Sequence, residues 1–454
     1  MPRFIRSATA RPTEGVTFVE AGGGEAERLA FQYNLSYSQP PRLRAVCETT
    51  DAVAQTLRWA RETDTSFAIR SGGHCYGGTS NHPDLVIDLR TLNAVSVDAA
   101  SRTASAQSGT KLNALYRAGF PHALAPAAGW CGDVAVGGHL LGGGLGYLAR
   151  ANGLLCDHLK SLTLIDAQGE TRRCSAQENA DLYWASRGGG GGLGIVTAFE
   201  IAMQPVGDVH SLRLFGGIDA IEMPAFVERW MAWSANAPRA TSSQLAIATM
   251  ADGRLFARVT GLSGELREVL LEALQSIAAG LMPVDEQTIV SGSFERVMED
   301  TVLSIPHFYL HSASHTAVLR GALTAVDWAP VLDAMVASRS DTGSMSLLIE
   351  AMGGAIADTA NDDTVFPHRE AAFLATASYG TLSQELLDAA QPALDDVGEF
   401  VWRHAIAKGY ANYRDRTLEN YEDAYWGENV TRLRSIKRRI DPDGVFTGVQ
   451  TITG

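Results

Sequence analysis

Arg70-Ser71-Gly72-Gly73-His74-Cys75 and, about sixty residues further on, Trp130-Cys131-Gly132-Asp133 are the two stretches that decide how this chain is read. Each sets a nucleophilic side chain among glycines, and Cys131 leads into Gly137-Gly138-His139-Leu140-Leu141-Gly142-Gly143-Gly144-Leu145-Gly146. Glycine lacks a Cβ, so backbone N–H groups beside it can approach a ligand closely and cradle a phosphate or another anion. The pattern implies a nucleotide cofactor gripped by backbone, with His74 and Cys131 available to fasten it.

Working outward, residues 43–48 read as a strand, Thr50 or Asp51 as an N-cap, residues 52–62 as an amphipathic helix, and residues 66–69 as a second strand ending at Arg70. This βαβ-like unit delivers His74 to a strand end, where ligand-contacting loops usually sit. Strands are expected over 85–89, 95–98 and 102–108, with a helix over 111–118. Past Pro205 the texture changes. Residues 210–215 and 245–259, the latter broken by the Asp252-Gly253 hairpin signal, read as antiparallel strands. Helices are expected near 221–235 and 264–280, strands over 344–350 and 373–379, and a long helix over 382–407.

A second glycine run, Arg187-Gly188-Gly189-Gly190-Gly191-Gly192, passes directly into Leu193-Gly194-Ile195-Val196-Thr197-Ala198-Phe199. An apolar strand after so many glycines suggests backbone lying flat against a ligand. Gly144-Leu145-Gly146-Tyr147-Leu148-Ala149 superficially fits the G-x-G-x-x-A dinucleotide fingerprint. That fingerprint needs a preceding strand, and residues 132–143 are mostly glycine and small. A P-loop is excluded because no G-x-x-x-x-G-K-[ST] occurs.

At 454 residues and 46% hydrophobic content, the chain can bury large cores in two domains. A net charge of −14 argues against nucleic-acid and anionic-membrane surfaces, which need clustered Lys and Arg. Five cysteines without a CxxC pair make neither a disulfide framework nor a zinc site, so Cys47, Cys156 and Cys174 are expected as buried thiols. The first ten residues lack a secretory apolar core, and no apolar stretch approaches a membrane span. A cytoplasmic protein is the expectation; oligomeric state is left open.

The Arg-Ser-Gly-Gly-His turn, Cys131 with its Gly-Gly-His-x-x-Gly-Gly-Gly run, the 187–197 stretch and the tail Tyr410-Ala411-Asn412-Tyr413-Arg414-Asp415 resemble, in order, the berberine-bridge-enzyme-like FAD-linked oxidases. The resemblance implies an α+β, two-domain fold of the vanillyl-alcohol-oxidase type: a discontinuous FAD domain, residues 1–205 completed by 405–454, enclosing an antiparallel-sheet substrate domain with helices over 206–404. It implies FAD held covalently by His74, on the methyl carbon of the flavin ring, and by Cys131, on an adjacent ring carbon. Many members carry only the His, so Cys131 in this setting is specific. Cofactor contacts are expected from Arg70, Ser71, Gly72, Gly73, Cys75, Gly137, Gly138, His139, Gly142, Gly144, Gly194, Val196, Tyr410 and Asn412. Gly194 and Val196 fall at the adenine and ribose end.

The resemblance also places a catalytic Tyr in the tail. Alcohol oxidation by hydride transfer is easier when the hydroxyl proton leaves with the hydride, so the site needs a base. Tyr410 is taken as that base, with Tyr413 as rival and Asn412 as orienting group. His307, Tyr309 and His311 alternate along an apparent strand and share one face; they either line the substrate cavity or satisfy a polar face. Glu350 and the Phe366-Pro367-His368-Arg369 segment are further substrate candidates, and no metal is expected. The implied activity is oxidation of an alcohol, with a sugar or oligosaccharide favoured, and O2 reduced to H2O2 past the small side chain of Val134. The alternatives are oxidation or cyclisation of a secondary metabolite or alkaloid, and a dehydrogenase using another acceptor.

Overall fold

The computed structural model describes residues 10–250, 252–278, 286–301, 303 and 309–454. Its first sheet runs in the order Val16–Glu20, Leu43–Cys47, Leu85–Asp88, Phe67–Arg70, antiparallel at the first pair and parallel thereafter. Helix Thr50–Glu62 joins the second strand to the fourth, so the crossover passes over the strand between them. The helix buries Ala52, Val53, Leu57 and Ala60 on the sheet. Its cap is Thr49, whose side chain accepts from the Ala52 N–H, one residue before the expected Thr50. Buried Arg44 and Asp88, on neighbouring strands, pair at 2.6 Å.

A second, antiparallel sheet has the order Val95–Asp98, Thr103–Gln107, Ile195–Ala202, Leu159–Ile165, Thr171–Ser175. Helix Leu112–Gly119 packs beside it and starts one residue later than expected, because Lys111 is extended and bridges to Ala135. The apolar strand foreseen after the second glycine run is the central one of this sheet.

The third sheet has seven antiparallel strands, ordered Glu286–Ser293, Asp208–Ile218, Leu255–Ser263, Thr241–Thr249, Gly343–Ala351, Phe373–Thr381, His311–Leu319. Strand residues point alternately to opposite faces. Leu245, Ile247, Leu347 and Ile349 face a core with Trp230, Trp328 and Met335, contributed by helices Met223–Asn236 and Ala325–Ala337. The even-numbered residues Gln244, Thr260, Leu348 and Glu350 therefore turn the other way, toward the glycine loops. The last helix of this region is Gln384–Trp402, shorter than the expected 382–407, because Ile406 and Ala407 leave it to bond edge residue Val318. The strand expected to carry 307, 309 and 311 begins only at His311, and His307 lies outside the described residues. Among the described residues no helix is long and apolar enough to cross a membrane.

Candidate active site

A cavity of about 1010 Å³ lies between the first two sheets, the polar face of the third, and the C-terminal segment. It follows strand Phe67–Arg70, whose rise of roughly 3.3 Å per residue carries it about 13 Å from Phe67 to Ser71. At one end Phe67 meets Phe446 edge-on at 6.3 Å and Arg61 pairs with Asp443 at 3.6 Å. The other end holds His74, Cys131 and Tyr413.

The His74 and Cys131 loops are locked to each other. The ammonium of Lys111 donates to the carbonyls of Gly72 and Asp133, one in each loop. A Cβ on Gly72 would stand 2.7 Å from the Ala135 Cβ, and one on Gly137 would stand 2.5 Å from Ser71 Oγ. Glycine is required here for loop-to-loop contact. Arg70 is buried with its guanidinium turned from the cavity, donating to the carbonyls of Ala30 and Phe31 and filling the space under Gly73, which has φ +76°. It braces the His74 loop from behind.

The Tyr33 ring stacks on the His74 imidazole at 3.9 Å, Tyr76 lies 5.3 Å beyond Tyr33, and Tyr413 lies 4.9 Å beyond Tyr76, all nearly parallel. Burial pushes the Cys131 thiol up to about 12, with the Glu350 and Asp133 carboxylates adding to it, so the thiol is protonated at neutral pH. Cys75 lies on the cavity wall and contacts Thr79 Oγ1 at 3.2 Å. His139 Nε2 accepts from the Gly129 N–H at 2.9 Å, and burial lowers its pKa to about 4; it is neutral with its proton on Nδ1.

The two tail tyrosines differ. The Tyr410 oxygen accepts from the Gly144 N–H at 3.0 Å, the Leu145 N–H at 3.2 Å and Asn412 Nδ2 at 3.0 Å. Phe366 stands edge-on to it at 5.9 Å, and Arg369 behind Phe366 forks onto Asp157 at 2.7 and 2.8 Å. Tyr413 instead donates to Glu350 Oε1 at 3.3 Å, and burial, with Glu350 next, raises its phenol well above 10. Glu350 is fully buried, its Oε2 has no partner, and burial pushes its carboxyl up to about 8. Cross-strand from it, Gln244 bonds Tyr147 at 2.8 Å and Thr260 at 2.9 Å through Nε2, while its buried Oε1 is unpartnered.

Of the residues singled out in the sequence, Ser71, Gly72, Gly73, His74, Cys75, Cys131, Val134, Gly137, Gly138, His139, Gly194, Val196, Tyr410, Asn412 and Tyr413 line this one cavity. Gly142 and Gly144 stand behind it: a Cβ on Gly142 would meet Asn412 Oδ1 at 2.1 Å, and one on Gly144 would meet the Leu155 Cβ at 2.6 Å. Tyr309 is exposed against Phe31 at 4.7 Å, and His311 faces Ser36 and Gln384, so neither is on the cavity wall. Sequence reasoning missed Tyr33, Tyr76, Gln244 and Lys111. Only Tyr76 carried a signal, its place two residues past His74.

Comparison with known proteins fits this arrangement. Residues 41–175 match the FAD-binding-domain family, and residues 409–453 match the berberine and berberine-like family. Reticuline oxidase of Eschscholzia californica is 28% identical, covering 88% of this chain and 81% of its own. Glucooligosaccharide oxidase of Sarocladium strictum is 26% identical, with 95% and 91% covered. The structure of BBE-like 1 from Physcomitrella patens superposes with a TM-score of 0.87 at 23% identity, covering 96% and 97%, and shares the fold. The glycine cradle and the two family matches define an FAD-linked oxidoreductase. The chain carries the FAD-binding domain and the berberine-like C-terminal domain together, the combination named by those two matches.

Proposed function

We propose that the protein is an oxidase that takes an alcohol, with a sugar or oligosaccharide favoured, to the carbonyl compound, holding FAD through bonds to both His74 and Cys131. FAD held there would supply the hydride acceptor and a two-electron route to O2, with H2O2 as the product. The cavity fits that cofactor in its glycine-lined wall and in presenting a nucleophile from each of two interlocked loops at one end.

The observation that carries the reading is the Tyr413–Glu350 pair. Tyr410 has its oxygen saturated by three donors, whereas among the described residues none is directed at the Tyr413 oxygen. We therefore assign the base to Tyr413 and give Tyr410 the task of holding the 142–145 loop. A phenol with so high a pKa is not ionised at neutral pH, so Tyr413 acts by relay. It takes the substrate hydroxyl proton while its own passes to Glu350 Oε1. Asn412 orients Tyr410 and the His139 carbonyl, which it reaches at 2.9 Å. The unpartnered Oε1 of Gln244 and Oε2 of Glu350 are buried acceptors behind the wall at Tyr413, not among the residues that line it. Glucooligosaccharide oxidase among the relatives supports the preference for a sugar.

The test is a panel of oligosaccharides and aromatic alcohols, read both as flavin bleaching without oxygen and as peroxide with it. Bleaching without peroxide would move the protein to the dehydrogenases, and bleaching by aromatic alcohols alone would remove the sugar. Acid-precipitated protein is expected to stay yellow, to stay so in Cys131→Ala, and to release its flavin only when His74 is replaced as well.

A further inference from the structure

Two buried cations hold the second glycine run, and both belong to the C-terminal segment. Lys437, 3% exposed, uses all three of its N–H donors: 2.8 Å to the Gly192 carbonyl, 2.7 Å to the Phe446 carbonyl and 2.6 Å to Asp441 Oδ2. Arg414 repeats the arrangement, donating to the Gly190 carbonyl at 3.0 Å and to the Gln450 carbonyl. Asp441 completes the clamp by accepting from the Val445 N–H at 2.7 Å and the Phe446 N–H at 2.9 Å.

Gly190, Gly191 and Gly192 line the cavity; Lys437 ties Gly192 to the 443–448 loop at the Phe67 and Phe446 end, while Gly190 donates to the Leu141 carbonyl and is held by Arg414, next in sequence to Tyr413. The three glycines all have φ between +74° and +93°, and a Cβ on Gly191 would meet nothing within 4 Å. Such backbone has many conformations to lose on binding. Engaging its carbonyls with cations fixes the peptide planes and keeps carbonyl oxygens from facing an anionic ligand.

We propose that Lys437 is a positioning residue for the nucleotide half of the cofactor. It fixes the glycine wall and the 443–448 loop around the diphosphate and adenosine while making no contribution to seating the flavin ring. This rests on FAD occupying the cavity with its ring at His74 and Cys131.

The experiment uses the full chain carrying His74→Ala and Cys131→Ala, so that flavin binds reversibly, with FAD and riboflavin as the two probes. Adding Lys437→Met is expected to weaken FAD about tenfold or more, the worth of one charge-assisted bond, and to leave riboflavin within about threefold. FAD is also expected to protect the C-terminal segment from proteolysis in the parent and not in Lys437→Met. Equal loss for both flavins would reduce Lys437 to a general structural role and overturn the proposal, as would no loss for either. If Lys437→Met does not fold, Lys437→Arg, which keeps the charge but not the three-acceptor geometry, is read against the same two probes. A parent that binds neither flavin would sink the cofactor placement itself, a result distinct from a parent that binds both and is indifferent to residue 437.

Discussion

The cofactor side and the substrate side of the cavity are built on opposite rules. Around His74 and Cys131 the chain excludes side chains: Gly72, Gly137 and Gly146 each stand where a Cβ would collide, at 1.7 Å from the Ala128 carbonyl in the last case. Across the cavity the seven-stranded sheet is filled by side chains, with Trp230, Trp328 and Phe373 fully buried on one face and Gln244 and Glu350 on the other. One wall is specified by what is missing and the other by what is present. Changes on the first should act on geometry, and changes on the second on volume or chemistry.

The sharpest break would come at the junction of the two walls, in the tail. Tyr413→Phe is expected to lower kcat by roughly 10²- to 10⁴-fold with the flavin spectrum and Tm nearly unchanged. Tyr410→Phe, which deletes the acceptor of three bonds, should lower Tm more than kcat. The reverse pattern would return the base to Tyr410.

Stability should separate the walls next. Trp230→Ala empties a buried site and is expected to cost about 3–5 kcal/mol without altering flavin content. Gly146→Ala adds one methyl where backbone must move, costing about 1–3 kcal/mol and lowering flavin incorporation as well. Denaturant melts with flavin-to-protein ratios would tell; if Gly146→Ala kept full flavin, the cofactor wall would be less tightly specified than described.

Smaller is the effect of pH on turnover. The relay needs ionised Glu350, so kcat/KM should rise about tenfold per pH unit below about 8 and level off above it. Glu350→Gln should abolish this limb. The same carboxyl binds its proton more tightly folded than unfolded, so its contribution to stability falls as pH rises from about 4.5 to about 8. Glu350→Gln is therefore expected to gain relative stability at alkaline pH while losing activity.

The smallest effect concerns His315, which sits between Asp415 of the tail at 2.6 Å and Asp395 of helix Gln384–Trp402 at 2.9 Å. Burial pushes its pKa down, but the two carboxylates, Asp415 foremost, outweigh burial and raise it. The pair's contribution is complete below the unfolded pKa of about 6.5 and is lost as pH rises through the elevated value. A His315→Gln variant should lose that decline of Tm with pH; an unaltered decline would place its source elsewhere.

The glycine-specified wall was the legible one. Gly, His and Cys in fixed order are read from one another's context, and His74, Cys131 and Gly190, Gly191 and Gly192 of the second run all reach one cavity. Strand 95–98 has its expected bounds and strands 343–351 and 373–381 lie within a few residues of theirs, whereas Val16–Glu20, Leu159–Ile165, Thr171–Ser175 and Glu286–Ser293 were not foreseen. The side-chain-specified wall was not. Glu350 stood among the substrate candidates, but Gln244 is a single polar residue in an ordinary strand, and only cross-strand register sets the two side by side. Tyr410 and Tyr413, three apart in a turn, are equivalent in sequence; Glu350, 63 residues away, distinguishes them. Lys437 lies in a helix with Arg438 and Arg439 and reads as one more surface cation until the Gly192 carbonyl is found against it.

The clamp on Gly190 and Gly192 also sets a timetable. A ribosome adding about 5–20 residues per second finishes the Cys131 loop roughly 15–60 s before it reaches Gln450, the partner of Arg414. Throughout that interval the nascent chain carries His74 and Cys131 with one wall of their cavity still unmade. A complete cavity therefore exists only once the tail is in place, and until then the Cys131 loop lacks one of the walls that will face it.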